Sequence, residues 1–538
     1  MSPPTSSSPF PAVEVRSNPS KGRSLHATTS FAPGDVILSA QPLVCLPTLS
    51  HLASRCSHCF ELSSPRACTR CRSAYYCNAA CQREAWRSVH KLECKALQRV
   101  PAERRGQLPT PVRLLMQVLL VGEIQAGVDS LEGHVAARRA RPGWRDVELM
   151  AMAACSYAGK GVDEATVRKA AEQLCKIQTN AFNWTDEDFT EACVFIQPTL
   201  AMMNHSCLPN AMIQFIDGRI VLRAESRLEA GDEIEISYTD VTMPLPKRRQ
   251  AIDSYMFRCQ CLRCRDNLNI YQACSTSSHL DLNGFSLSPE VSKVSQLSII
   301  TNSVISKRIT TAVDELSGII RTDEFNNGDI KLLTLRERFQ ACRELVAVGA
   351  WAALPVPQLL AAISNYFVNK EDYTSALAIQ SLVAIECTPY RYPAPFHPIR
   401  VKELVHLASL LSNTAPHTAE QMAQSSASQL TGGGTSSKIQ EALREIDQVS
   451  TYQMLLLLAK RLAPAGFSAS FKLSLLASER LDELKQLPGR EKELSLIERW
   501  DADPHSEWSR GFFQYAVIDP IHRLASLGEA LVNLEFGR

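Results

Sequence analysis

Apolar positions follow two rhythms along the chain, and the rhythm switches more than once. Between Val13 and Pro47, short runs such as VILSA and PLVCL stand among the turn signals NPSKG and APGD, which predicts brief strands. From Val112 to about Gln178 the apolar residues recur at helical spacing, as in VELMAMAACSYA and EATVRKAAEQLCKIQ. Strand patterns return from Phe195 to Tyr238 in AMIQFI, RIVLRA and DEIEISY, with Asp217-Gly218 and Gly231-Asp232 as candidate hairpin turns. Beyond Cys264 the helical rhythm takes over in YTSALAIQSLVAIE, PIRVKELVHLASLL and STYQMLLLLAKRLA, with no strict repeat period. Two stretches carry neither rhythm: the Pro/Ser-rich residues 1–12, read as a disordered tail, and the low-complexity residues 413–438, read as a disordered loop. The most apolar run, VRLLMQVLLVGEIQAGV from Val112, is interrupted by Glu123 and too short for a bilayer, so it reads as a buried helix and no membrane is expected.

A chain of 538 residues is too long for one hydrophobic core, so several domains are expected. The 57 Lys and Arg nearly balance the 56 Asp and Glu, which leaves no electrostatic case for nucleic acid or an anionic membrane as main partner. The 18 cysteines change the picture more, because seven fall between Cys56 and Cys94 and three between Cys259 and Cys264. Such clusters suit metal in a reducing compartment, and the expected location is cytoplasmic and nuclear.

The first cluster reads Cys56-x2-Cys59, Cys68-x2-Cys71, Cys77-x3-Cys81 and His90-x3-Cys94, ligands for two closed tetrahedral zinc sites. Members of the last two pairs are four residues apart, and CQREAWRSVHKLEC is a helix candidate on which that spacing shares one face. So short a block builds little core, and the metal would supply its folding energy. The second cluster, Cys259, Cys261 and Cys264, offers three ligands where a tetrahedral site needs four. Cys207 and Cys274 compete for the fourth place, so three zinc ions per chain are expected. Cys207 sits in NHSCLPNA, which is either an exposed turn built on Pro209 and Asn210 or a buried polar group that must satisfy itself internally.

The block at residues 56–94, with YYCNAACQREAW and HKLEC, resembles a MYND zinc finger. That resemblance implies interleaved ligands: Cys56 and Cys59 with Cys77 and Cys81, and Cys68 and Cys71 with His90 and Cys94. It also implies a protein-interaction module taking Pro-rich peptides. Together with GRSLHA, NHSCLPNA, GDEIEISYTD, SYMFRCQCLRC and PYRYPAPFHPIR, the chain resembles the SET-and-MYND-domain protein lysine methyltransferases.

The fold this implies is α+β: a mainly β SET core split by the finger and a helical insert, then an all-helical, TPR-like C-terminal domain. Its expected parts are residues 13–50 and 191–240 for the SET core, 56–94 for the finger and 105–190 for the insert. Residues 241–275 form a zinc-binding region and 290–538 the helical domain. The NHSC segment would thread beneath a loop near Tyr238, and the resemblance makes Cys207 the fourth ligand of the second cluster. The implied activity is methyl transfer from S-adenosylmethionine to lysine side chains of histone or other proteins, by a monomer. A catalytically weak scaffold that acts by binding proteins is the alternative. Tyr238 would orient the amine and touch the cofactor, and Phe182, Tyr255 and Phe257 would line the lysine channel. Lys21, Gly22, Arg23, Asn180, Asn204, His205 and Phe257 would contact the cofactor. One departure stands out: Ser24 occupies a place where the family shows glycine, a substitution that costs affinity if the backbone there needs φ > 0.

Overall fold

The computed structural model describes residues 10–18, 21–185, 190–279, 287, 291–320, 331–414, 433–467 and 471–537. Residues 1–9 of the expected tail and residues 415–432 of the expected loop lie outside the described residues. The chain forms two compact units, residues 1–239 with 249–259, and residues 240–248 with 260–538.

The first unit is built from small sheets. Val13–Asn18 and Gly22–Ala27 form an antiparallel hairpin in which Val13 faces Ala27 and Asn18 faces Gly22. Ala211–Ile216 and Arg219–Ala224 form a second hairpin, whose outer edge carries Val36–Ala40. Its turn is the expected Asp217-Gly218, with φ of 50° and 73°, the left-handed pair that matches strand twist. Val44–Pro47, Glu191–Ile196 and Phe182–Thr185 make a third sheet, with the Glu191–Ile196 strand in the middle. Its middle strand is apolar and buried at Ala192, Cys193, Phe195 and Ile196, as a strand covered on both faces must be.

Two expectations are corrected here. Gly231-Asp232 is a turn but joins no hairpin: of DEIEISY only Glu235–Ile236 is a strand, and it runs parallel to Asn204–His205. Gly231 instead donates its N–H to Ala27 O at 2.8 Å, so the turn docks on the first hairpin. The helical insert also ends at Asn180, short of residue 190, because Phe182–Thr185 is a strand paired with Glu191–Ile196.

The finger carries the strand pair Arg66–Ala67 and Tyr75–Tyr76 and then a helical run through Ala79–Ala85, Trp86–His90 and Lys91–Leu97. Cys77 therefore precedes the helix rather than riding on it. The insert follows. The long apolar run is two helices, Thr110–Leu120 and Gly122–Asp129, bent by 109° at Val121, rather than one. The first of them is buried from Val112 to Val118. Trp144–Ala158 ends on Gly159 in the left-handed region, and Glu164–Asn180 starts on Asp163, whose side chain accepts from Thr166 N–H. Among the described residues no single helix is long and apolar enough to cross a membrane.

The second unit is helical throughout its described residues. Every side chain of Tyr373–Leu382 is buried except Tyr373, and that helix packs against Val356–Val368, Pro398–Ser412 and Asp519–Glu535. Small residues allow the closest approach: a Cβ on Gly528 would sit 2.2 Å from Ala378 O. Helix Gly433–Arg444 covers the end of the stretch expected as a disordered loop, so that expectation fails for residues 433–438.

Candidate functional site

The metal-binding side chains are positioned by backbone caps and turns. Asn78 starts the finger helix, and its Oδ1 accepts from Cys81 N–H at 2.9 Å, which holds Cys81 against Cys77. The ligand atoms of Cys56, Cys59, Cys77 and Cys81 all lie within 4.8 Å of one another, as do those of Cys68, Cys71, His90 and Cys94. This is the interleaved pairing that the resemblance implied. Sulfur separations are 3.7 Å for Cys59–Cys77, 3.4 Å for Cys77–Cys81 and 3.9 Å for Cys68–Cys94. Tetrahedral zinc with bonds of about 2.3 Å to sulfur has ligand edges of about 3.8 Å, so the donor sets fit that ion. Cys207, Cys259, Cys261 and Cys264 form a third group with the same 4.8 Å limit. Cys274 is not in this group; its buried thiol lies 3.9 Å from Pro389 O.

His90 places Nε2 3.8 Å from Cys71 Sγ on the metal side and Nδ1 3.0 Å from Glu93 Oε2. The other Glu93 oxygen accepts from Arg113 Nε at 2.8 Å and Gln117 Nε2 at 2.7 Å, both on the first insert helix. Burial alone would raise the Glu93 carboxyl, but the Arg113 guanidinium and His90 outweigh it and hold the group well below the usual carboxylate range. Nothing in the sequence pattern pointed to Glu93 or Arg113.

The segments 204–210 and 233–238 clasp each other. Ser206 N–H donates to Ile236 O at 2.9 Å, Asn210 N–H to Glu235 O at 3.1 Å, and Asn210 Nδ2 to Glu233 O at 2.8 Å. The NHSC run is thus no exposed turn: His205, Ser206 and Cys207 are buried. Tyr238 N–H donates to His205 Nδ1 at 3.0 Å. Because that nitrogen accepts, the neutral ring carries its proton on Nε2, which lies 3.3 Å from Cys207 Sγ.

Around this clasp the aromatic side chains gather. The Tyr238 ring lies 4.8 Å from Tyr255, 5.3 Å from His205 and 6.2 Å from Phe257, the last edge-on at 89°. The Tyr238 hydroxyl donates to Met203 O. Burial moves its ionisation to higher pH, and Tyr255, Glu233 and Glu235 add to that, so the hydroxyl stays protonated at neutral pH. Phe257 remains 40% exposed. Phe182 is not in this group of rings; its stacked partner is Phe195, at 5.3 Å and 17°.

Next to the clasp, Asn204 Nδ2 donates to Glu233 Oε1 at 2.7 Å, and Lys21 Nζ reaches Glu233 at 2.9 Å and Glu235 at 3.1 Å. Glu233 and Glu235 were missed in the sequence, although their alternation in GDEIEISY already placed them on one strand face. Arg23 Nη1 donates to Ser130 O at 2.9 Å. Asn180 is buried and spends its amide hydrogens on Glu132 O at 2.7 Å and Lys176 O at 2.8 Å. Gly22 is the residue of the first loop with positive φ, 78°. Ser24 lies in the strand with its hydroxyl 2.9 Å from His26 Nε2, so its side chain meets no backbone demand for glycine.

Comparison with known proteins finds relatives of the finger and of about half the chain. A family model described as MYND finger matches residues 56–94. Histone-lysine N-methyltransferase ASHR1 of Arabidopsis thaliana is 30% identical over 264 residues, 46% of this chain and 54% of that protein. SET domain and MYND-type zinc finger protein 6 of Schizosaccharomyces pombe is 31% identical over 46% of this chain and 51% of its own length. N-lysine methyltransferase SMYD2 of Gallus gallus is 30% identical over 47% of this chain and 59% of its own length. The chain thus spans between half and three fifths of the length of these curated relatives. Residues 56–94 are thus similar to a MYND finger, and the half of the chain that these matches cover is similar to proteins named as SET-and-MYND and lysine methyltransferases.

Proposed function

We propose that this protein transfers a methyl group from S-adenosylmethionine to the side-chain amine of a lysine in a protein substrate. The observation that carries the reading is the ring cluster of Tyr238, Tyr255, Phe257 and His205, with the Tyr238 hydroxyl held on the Met203 carbonyl. A cation, an amide and a carboxylate within hydrogen-bond reach of one another, Lys21, Asn204 and Glu233, suit the amino-acid end of that cofactor. Lys21, Asn204 and His205 would hold it, and when bound it supplies a methyl already activated on a sulfonium.

The residues then have a restricted task. Tyr238 stays protonated, so it does not serve as the base; its hydroxyl orients the incoming amine. An ordinary lysine amine is charged at neutral pH, with a pKa of about 10.4, so the amine must reach the methyl in its neutral form. A channel walled by Tyr255 and Phe257 disfavours the ammonium and keeps water from the reacting atoms. Alignment in a near-attack geometry does the rest. The finger, as a closed metal site, takes no part in the chemistry and would recruit protein partners through Pro-rich segments. The protein would act as a monomer in cytoplasm and nucleus, where a reducing medium preserves the 11 cysteines of the three metal clusters.

Single-turnover transfer of a labelled methyl to cell-extract proteins and lysine peptides tests the activity. Tyr238→Phe should retain cofactor binding by calorimetry and lose at least about tenfold in rate, since it removes an interaction used in the transition state. Wild-type protein that binds cofactor yet labels no lysine would overturn the reading in favour of a scaffold.

A further inference from the structure

Arg138 belongs to no motif, yet it ties together the parts around the ring cluster. It sits at the end of the short helix Val135–Arg139, half-buried. One guanidinium nitrogen donates to Thr179 Oγ1 at 3.0 Å and to Ser254 O at 2.9 Å; the other reaches Gln178 Oε1 at 3.3 Å. Thr179 and Gln178 close the long insert helix Glu164–Asn180, and Ser254 is the residue before Tyr255. No side-chain carboxylate accepts from Arg138 among the described residues, and its buried Nε has no hydrogen-bond partner there. Its neighbour in the clamp, Arg141, behaves differently: it forks onto the Asp253 carboxylate at 2.5 and 3.3 Å and is thereby neutralised.

We infer, resting on the methyltransferase reading above, that Arg138 is a positioning residue of the lysine channel. It holds the Asp253–Tyr255 turn against the insert and leaves an unneutralised positive charge beside the rings, which favours the neutral form of the incoming amine. A desolvated cation lowers the affinity of a nearby amine for a proton, because charging the amine would set two like charges in a poorly screened space. The same field acts on the Tyr255 hydroxyl: burial moves its ionisation to higher pH, and Arg138 draws it back towards lower pH.

The other charged and titratable groups facing the cluster are few. Glu233 and Glu235 act on Tyr238 and share Lys21 as counter-ion. Cys175 and Arg141 act on Arg138, and Arg141 is paired with Asp253. His205 is neutral while Nδ1 accepts from Tyr238 N–H. Arg138 is thus the cation of this set that no carboxylate offsets.

The test compares wild type with Arg138→Met, Arg138→Lys and Arg141→Ala/Asp253→Ala in the whole zinc-loaded chain. The first reading is the pH profile of kcat at saturating lysine peptide, which reports the amine bound in the channel. Arg138→Met should move the acid limb upward by about half to one pH unit, and Arg138→Lys should move it less. Arg141→Ala/Asp253→Ala, which loosens the same turn by removing a neutral pair, should lower the rate without moving the limb. The second reading needs no turnover: 3-fluorotyrosine placed at position 255 and followed by 19F NMR should ionise at higher pH in Arg138→Met. Coincident profiles for wild type and Arg138→Met, an equal shift in Arg141→Ala/Asp253→Ala, or an unmoved fluorotyrosine midpoint would each overturn the role of the charge. Absence of methyl transfer in the wild type would instead overturn the activity, and the fluorotyrosine titration would still decide whether Arg138 charges the ring cluster.

Discussion

Replacing Glu93 by alanine should unseat the second finger metal and the insert together. In the intact protein both carboxylate oxygens are used: one faces His90 Nδ1 at 3.0 Å, the other accepts from Arg113 at 2.8 Å and Gln117 at 2.7 Å. Glu93 and Arg113 are 3% and 5% exposed, so Glu93→Ala strands a guanidinium that water cannot reach. Breaking a buried pair by deleting one partner costs about 3–5 kcal/mol. Losing the carboxylate that orients a metal-bound histidine weakens metal binding by about 10–100-fold. Both effects come from one carboxylate, so they overlap, and about 3–5 kcal/mol is the expected total. Removing the stranded charge as well, in Glu93→Ala/Arg113→Met, should recover part of that loss, and a double-mutant cycle measures the coupling. The assay is zinc released to a colorimetric chelator, read beside denaturant unfolding of the same samples. The wild-type advantage should be flat between pH 5 and 8. A carboxyl held below its unfolded value of about 4.3 contributes fully above that value and fades only as pH falls towards its lower folded value. Equal zinc release from both proteins, with a stability loss under about 1 kcal/mol, would refute the orienting role.

Metal analysis should give three zinc ions per chain, and Cys207→Ser should reduce the count to two; an unchanged count would mean that another ligand completes the third group. Gly528→Ala should destabilise the helical unit by about 1–3 kcal/mol in thermal unfolding, because its Cβ would sit 2.2 Å from Ala378 O and force Asp519–Glu535 off Tyr373–Leu382. Burial pushes the Glu403 carboxyl up to about 7, although its Gln380 partner and Arg400 pull the other way. An acid whose folded value is raised destabilises as pH rises, so amide exchange in Pro398–Ser412 should quicken from pH 5 to 7.5, beyond the intrinsic rate change. Glu403→Gln should flatten that dependence, and an unchanged slope would count against the assignment.

Local chemistry in the sequence determined the elements and the ligand types. Strand and helix runs such as VILSA, RIVLRA and EATVRKAAEQLCKIQ fold as their periodicities require, because alternation and helical spacing each leave one geometry that buries the apolar face. Asp217-Gly218 was legible as a hairpin because few residue pairs tolerate two left-handed conformations in succession. Cysteine spacing was legible too, since pairs two to four residues apart can share an ion without help from the rest of the fold. Spacing could not decide which pairs share an ion, nor that Cys207 rather than Cys274 joins a cluster from which 51 residues separate it. Those choices depend on how distant segments close, and only the clasp between residues 204–210 and 233–238 fixes where Cys207 points. The same holds for Glu93 with Arg113, for Arg138 with Ser254, and for Phe182, which stacks on Phe195 instead of joining Tyr238. Their partners lie across the fold, and a buried charge reveals its purpose only when the group that balances it, or fails to, is beside it.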